Sequence, residues 1–114
     1  MKPASIAMFT SFISGQKIDA ISSIVIDDEG ANPAVAAASA VINFKKQPSD
    51  AIGDSISTAG GGISLDDGAA WTFSIPEQVL TLTAGTWEWQ MHITETDGTE
   101  RAWLMGTVDV GEKL

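Results

Sequence analysis

His92 is the only imidazole in the chain, and there is no cysteine. A lone histidine works as a general base only beside a positioned partner, and no nucleophile–base set can be assembled around this one. The absence of cysteine removes disulfides, thiolate nucleophiles and cysteine-ligated zinc. Two acidic clusters, Asp27-Asp28-Glu29 and Asp66-Asp67, could collect a cation. Neither has the alternating oxygen-ligand spacing of a calcium loop, and aspartate is a common turn residue; the spacing leaves cation binding at both open. Gly60-Gly61-Gly62 lacks the following lysine and helix start of a phosphate cradle. Carboxylate pairs for glycoside hydrolysis can be drawn among 15 acidic residues, but nothing selects one. The expectation is a non-enzymatic protein with no catalytic residues, no cofactor and no metal, and with no small-molecule ligand among its partners.

The elements that position these residues belong to a short chain. Its 114 residues are one domain's worth, 1–114, and a chain of this size buries roughly 65% of its unfolded surface. With 15 acidic and 6 basic residues the net charge is −9. That opposes nucleic acid, which needs a basic face, and anionic membranes. At 44% apolar and 18% charged residues the chain is globular, not disordered. No stretch approaches the roughly 18 apolar residues of a membrane helix. The N-terminal apolar run is short, broken by Thr10, Ser11 and Ser14, and reads as a first strand rather than a signal peptide. Synthesis in a cytoplasm is expected.

Short β-like runs alternate with Gly, Asp, Asn and Pro. Strands are expected over 6–13, over 17–26 with Ile18, Ala20, Ile24 and Ile26 on one face, and over 39–46 with Ala40, Ile42 and Phe44 together. A weak strand follows over 51–58. Residues 63–65 alternate briefly, and 70–75 alternate strictly, with Trp71, Phe73 and Ile75 on one face until Pro76. Asn32-Pro33 and the alanines that follow predict a short helical turn over 32–38. Over 86–95 every second residue, Trp87, Trp89, Met91 and Ile93, is apolar, the mark of a half-buried antiparallel strand. About seven short strands predict an all-β fold, an antiparallel Ig-like β-sandwich. Trp71, Phe73, Trp87, Trp89, Met91 and Leu104 should form its core.

Asp97-Gly98 is a preferred type I′ hairpin pair. A two-residue loop there pairs Ile93 with Ala102, Met91 with Leu104, Trp89 with Gly106 and Trp87 with Val108. Inward residues then match on both strands. The same register predicts an outward interaction patch of Gln90, His92, Trp103 and Met105, with Trp103 opposite His92. Trp and Met are enriched in interfaces, so this patch is the expected contact surface.

The run Thr83-Ala84-Gly85-Thr86-Trp87-Glu88-Trp89-Gln90-Met91-His92-Ile93-Thr94-Glu95-Thr96-Asp97-Gly98, with Leu104-Met105-Gly106-Thr107-Val108-Asp109-Val110, resembles small phage virion β-sandwich domains. These include the N-terminal domain of the baseplate upper protein and related tail-associated proteins. Val41-Ile42-Asn43-Phe44-Lys45-Lys46 and Ala70-Trp71-Thr72-Phe73-Ser74-Ile75 look like two of their upstream strands. Gly15-Gln16 stands where the family has Gly-Asp, and the alanine-rich stretch replaces a tighter turn. The resemblance implies a bacteriophage or prophage virion structural protein of the tail or baseplate, assembled in the host cytoplasm. Its partners would be other virion proteins or itself, as a homo-oligomer. The motif is fold-defining and transfers no catalytic residue; function drawn from fold alone is analogy. The alternative is a small carbohydrate- or surface-binding Ig-like module that uses an exposed Trp103.

Overall fold

A computed structural model describes residues 4–5, 8–26, 33–46 and 51–114. Strands are the only regular elements among them: β1 (Ala4–Ser5), β2 (Phe12–Ile13), β3 (Lys17–Ile18), β4 (Ile21–Val25), β5 (Ala37–Lys45), β6 (Asp54–Ser57), β7 (Ser64–Asp67), β8 (Thr72–Ile75), β9 (Gln78–Val79), β10 (Gly85–Glu95) and β11 (Glu100–Gly111). The large sheet runs β1-β11-β10-β5-β6, with β2 also on β11. A smaller sheet runs β4-β8-β7, and β3 and β9 form a two-stranded ribbon. The sheets share one apolar core. The fold is therefore all-β, with several sheets packed together. Against an expectation of about seven strands there are eleven segments among the described residues, four of them two residues long.

Period-2 alternation fixes which way each strand faces. Ala40, Ile42 and Phe44 of β5 turn inward, as do Trp87, Trp89, Met91 and Ile93 of β10, and Phe73 and Ile75 of β8. All six residues expected in the core are buried. In β4 the alternation fails: Ser23 takes φ +58°, and the pairing with β8 shifts between Ile21 and Ile24. Ile21 is half-buried as a result, while Ala20, assigned inward from sequence, is exposed.

Two expectations about backbone shape are overturned. No helical turn forms over 33–38; Asn32 lies outside the described residues. The Val35 carbonyl accepts the Trp71 indole N–H at 2.8 Å and the Ala36 carbonyl accepts the Thr96 amide at 2.9 Å, while the Ala37 amide donates to Gly68 at 3.0 Å. Tertiary partners thus occupy groups a helix would pair internally, and so short a segment cannot nucleate helix unaided. Nor is the sheet wholly antiparallel. β1 and β2 both run parallel to β11, pairing Ala4 with Leu104 and Phe12 with Val110. Between them residues 8–11 leave the strand, and Phe9 packs edge-on against Phe44 and Trp89, at 5.4 and 5.3 Å between ring centroids.

The hairpin joining β10 and β11 differs from its expected form in two compensating ways. Its loop has three residues, not two: the Glu95 amide donates to Thr99 at 2.8 Å and the Gly98 amide to Glu95 at 2.9 Å. Only Gly98, at φ +90°, is left-handed in this loop. Three-residue loops with one left-handed residue are the next commonest hairpin class. The Asp97 carboxylate accepts the Thr99 amide at 2.9 Å, and that bond holds its pKa below the usual 3.8. The extra loop residue displaces the nearby pairs by one, giving His92 with Ala102 and Ile93 with Arg101. A β-bulge then restores the frame. Beyond it Met91 pairs with Leu104, Trp89 with Gly106 and Trp87 with Val108, as the sequence predicts. The extra residue in the bulge is Trp103. Gly98→Val should destabilise by about 1 kcal/mol or more, because a β-branched residue is strained at positive φ. Asp97→Ala should cost less, since Asp97 carries no such backbone demand. Urea titration of the two variants checks the order.

Trp87 closes one end of the core. Its indole N–H donates to the Thr83 carbonyl at 2.8 Å, and Lys46 Nζ stands 5.4 Å from its ring. A Cβ at Gly53 would collide with Cζ3 and Cη2 of this indole. Gly53 is pinned there by its amide bond to Phe44, 2.8 Å. Gly53→Ala is expected to cost about 1–3 kcal/mol by overpacking and to change the near-UV circular dichroism of Trp87. An unaltered spectrum and melting curve would show that the ring can move aside freely.

Candidate functional site

The outer face of the large sheet carries the residues that the inner alternation rejects. On β5 these are Val41, Asn43 and Lys45; on β10 they are Glu88, Gln90 and His92. Antiparallel pairing sets them in rows: Lys45 with Glu88, Asn43 with Gln90, Val41 with His92. β11 extends two of the rows, placing Met105 beside Gln90 and Thr107 beside Glu88. β6 extends two on the other side, with Ser55 beside Asn43 and Ser57 beside Val41.

These rows enclose an open groove of about 350 Å³, lined by Asn43, Lys45, Glu88, Gln90 and His92 and bordered by Trp89, whose own ring is buried on the opposite face. Its polar equipment is mixed: one ammonium, one carboxylate, two amides and an imidazole. His92 Nδ1 lies 3.7 Å from Glu100 Oε1 at one end. Lys45 and Glu88 face each other in register, yet among the described residues neither is joined in an ion pair within 4.0 Å. The groove therefore holds a positive and a negative group side by side. It adds no net charge to a chain whose total is −9. Such a surface suits polar and charged groups presented by another molecule.

Of the four residues expected in the patch, Gln90, His92 and Met105 do share the outer face; Met105 is 37% exposed. Trp103 does not. It is 2% exposed, and its ring meets Trp71 edge-on at 4.8 Å. The reason is the bulge: two residues of β11 oppose one of β10, so Trp103 and Leu104 both turn inward. With Trp103 goes the aromatic platform of a sugar-binding module, for the other three tryptophans are buried as well. Asn43, Lys45 and Glu88 were missed. The alternation in 39–46 already places Asn43 and Lys45 opposite Ala40, Ile42 and Phe44; what it withholds is that this strand lies beside β10.

The acidic clusters have structural partners where they are described. Asp66 accepts the Ser64 hydroxyl at 2.8 Å and Asp67 accepts the Ala70 amide at 3.2 Å. Asp27-Asp28-Glu29 lies outside the described residues. Among the described residues no three metal-ligating side chains gather. No protein-family model matches the chain, and no curated protein matches it.

Proposed function

We propose that the chain is an immunoglobulin-like β-sandwich domain of a phage or prophage virion, associated with the tail or baseplate. It acts without catalysis, through protein–protein contact on the outer face of its large sheet. The observation that carries the contact reading is the groove between β5 and β10. The core face is closed by packed side chains, whereas this face gathers mixed polar groups and leaves Lys45 and Glu88 outside any ion pair among the described residues.

The immunoglobulin-like reading is supported by strand order. Taking β1 and β2 as strand A, β4 as B, β5 as C, β6 as C′, β7 as D, β8 as E, β10 as F and β11 as G, the sheets read C′CFGA and DEB; CFG and DEB match that fold, while strand A lies along G and not beside B. Trp87 supplies a second point of agreement. In that fold a tyrosine near the start of strand F bonds back to upstream backbone; here the Trp87 indole does so, to Thr83. The virion reading is supported by the resemblance of the 83–98 and 104–110 segments to baseplate-type domains.

The test is particle composition. Virus particles assembled from the genome that encodes this chain should contain it after gradient purification, detected by mass spectrometry. The double variant Asn43→Arg, Gln90→Arg should fold yet be depleted from particles. A wild-type chain absent from purified particles overturns the virion reading, and a variant incorporated like wild type overturns the role of the groove.

A further inference from the structure

We infer that the outer face of β5 and β10 pairs with a second copy of this chain about a two-fold axis, Lys45 of each copy meeting Glu88 of the other. The inference rests on the reading of this face as a contact surface and names what covers it. Lys45 and Glu88 are cross-strand neighbours, a relation that puts Cβ atoms about 5 Å apart. Their charged ends nevertheless stay more than 4.0 Å apart. The face thus offers one ammonium and one carboxylate, with the groove between them.

A two-fold axis lying between two such faces, parallel to the strands and midway between β5 and β10, exchanges the two strands. It sets β10 of one copy over β5 of the other. Every row then complements itself. Glu88 lies over Lys45 of the second copy, and Lys45 over its Glu88. Gln90 lies over Asn43, two amides that each donate and accept. His92 lies over Val41. This is the isologous pattern of a closed dimer, in which residue i meets j and j meets i. Stacked twisted sheets keep their strands within about 30° of each other, which lets all three rows meet in one arrangement. The long side chains of Lys45 and Glu88 fill the groove that each copy leaves open.

Charge also selects this face. Two copies at −9 repel each other over most of their surfaces. The groove presents balanced charge, and beyond about 8 Å the remaining repulsion is screened at physiological salt. The face spans four strands, about 19 Å by about 30 Å. That is below the roughly 800 Å² per partner of a standard interface, so the dimer is weak and concentration-dependent.

Light scattering on the whole chain over a concentration series, in 0.15 M salt, tests the inference. The mass should rise from 11.9 kDa toward twice that value. K45E and E88K should each weaken association by about 10-fold or more, because each turns two attractive contacts into repulsive ones. The charge swap K45E/E88K should restore it to within about 3-fold of wild type. Thermal melts establish that all three variants are folded. A wild type that stays at 11.9 kDa throughout, single reversals without effect, or a swap that fails to restore the dimer each overturn the inference. A monomer that still enters virus particles overturns self-pairing alone; a dimer from a chain missing from particles overturns the virion reading alone.

Discussion

Trp103→Ala is expected to lower the free energy of unfolding by about 3–5 kcal/mol, the usual cost of deleting a large buried side chain. A small domain has only about 5–15 kcal/mol in all, so the loss is a large fraction of its stability. The indole is 2% exposed and packs edge-on against Trp71, itself fully buried. The pair adds about 0.5–1.5 kcal/mol beyond the buried area, which a double-mutant cycle of Trp103→Ala with the non-aromatic Trp71→Leu would isolate. Trp103→Phe should cost much less than Trp103→Ala. It keeps most of the ring and removes an indole N–H that has no hydrogen-bond partner among the described residues; burying such a group costs about 1–3 kcal/mol. Urea denaturation of the single and double variants is the measurement. A Trp103→Ala protein that unfolds at the wild-type midpoint would put the side chain on the surface and remove the bulge from the account.

Trp89→Ala should produce a loss of similar size, about 3–5 kcal/mol, but a different local signature. Trp89 lies at the centre of the large sheet, paired with Phe44 on one side and Gly106 on the other. Phe9 rests edge-on against it at 5.3 Å. Phe9 is the buried side chain among the described residues between β1 and β2, with Met8 packed partly buried beside the core. Removing the indole should therefore loosen both parallel pairings with β11 before the domain as a whole unfolds. Hydrogen exchange should record faster exchange at Ser5 and Ile13 than in Trp103→Ala at matched stability. Equal exchange in the two variants would mean that Phe9 holds the segment without Trp89.

The core was legible because it obeys a strict period of two. Phe73, Trp87, Trp89 and Met91 fall inward by alternation alone, and one-residue slips in such strands are costly. The outer patch was legible only in part. The register places Gln90, His92 and Met105 correctly on the outer face, whereas the bulge turns Trp103 inward. A loop longer by one and a bulge of one cancel over most of the hairpin, so matching faces at Trp87, Trp89 and Met91 gave no warning of the displaced pairs between. Hydrophobic pattern reports the facing of a strand and is silent about an extra residue whose side chain is itself apolar. Asn43, Lys45 and Glu88 escaped for another reason. Each strand face was readable, but the pairing of β5 with β10 joins segments far apart in the chain. The short helix expected over 32–38 failed likewise, because Trp71, Thr96 and Gly68 reach it from distant sequence.

The parallel pairing of β1 and β2 with β11 bears on how the protein comes to be folded. Almost the entire chain separates Ala4 from Leu104 and Phe12 from Val110. During translation, at about 5–20 residues per second, the first two strands must wait on the order of 10 s for the strand they pair with. Until β11 emerges, β10 has a bare edge and Trp89, Met91 and Phe9 have no complete core to enter. A nascent chain in that condition is a candidate for chaperone binding and for edge-to-edge association with its neighbours on a polysome. Non-local pairing of this kind also places refolding of the finished domain on the millisecond-to-second scale.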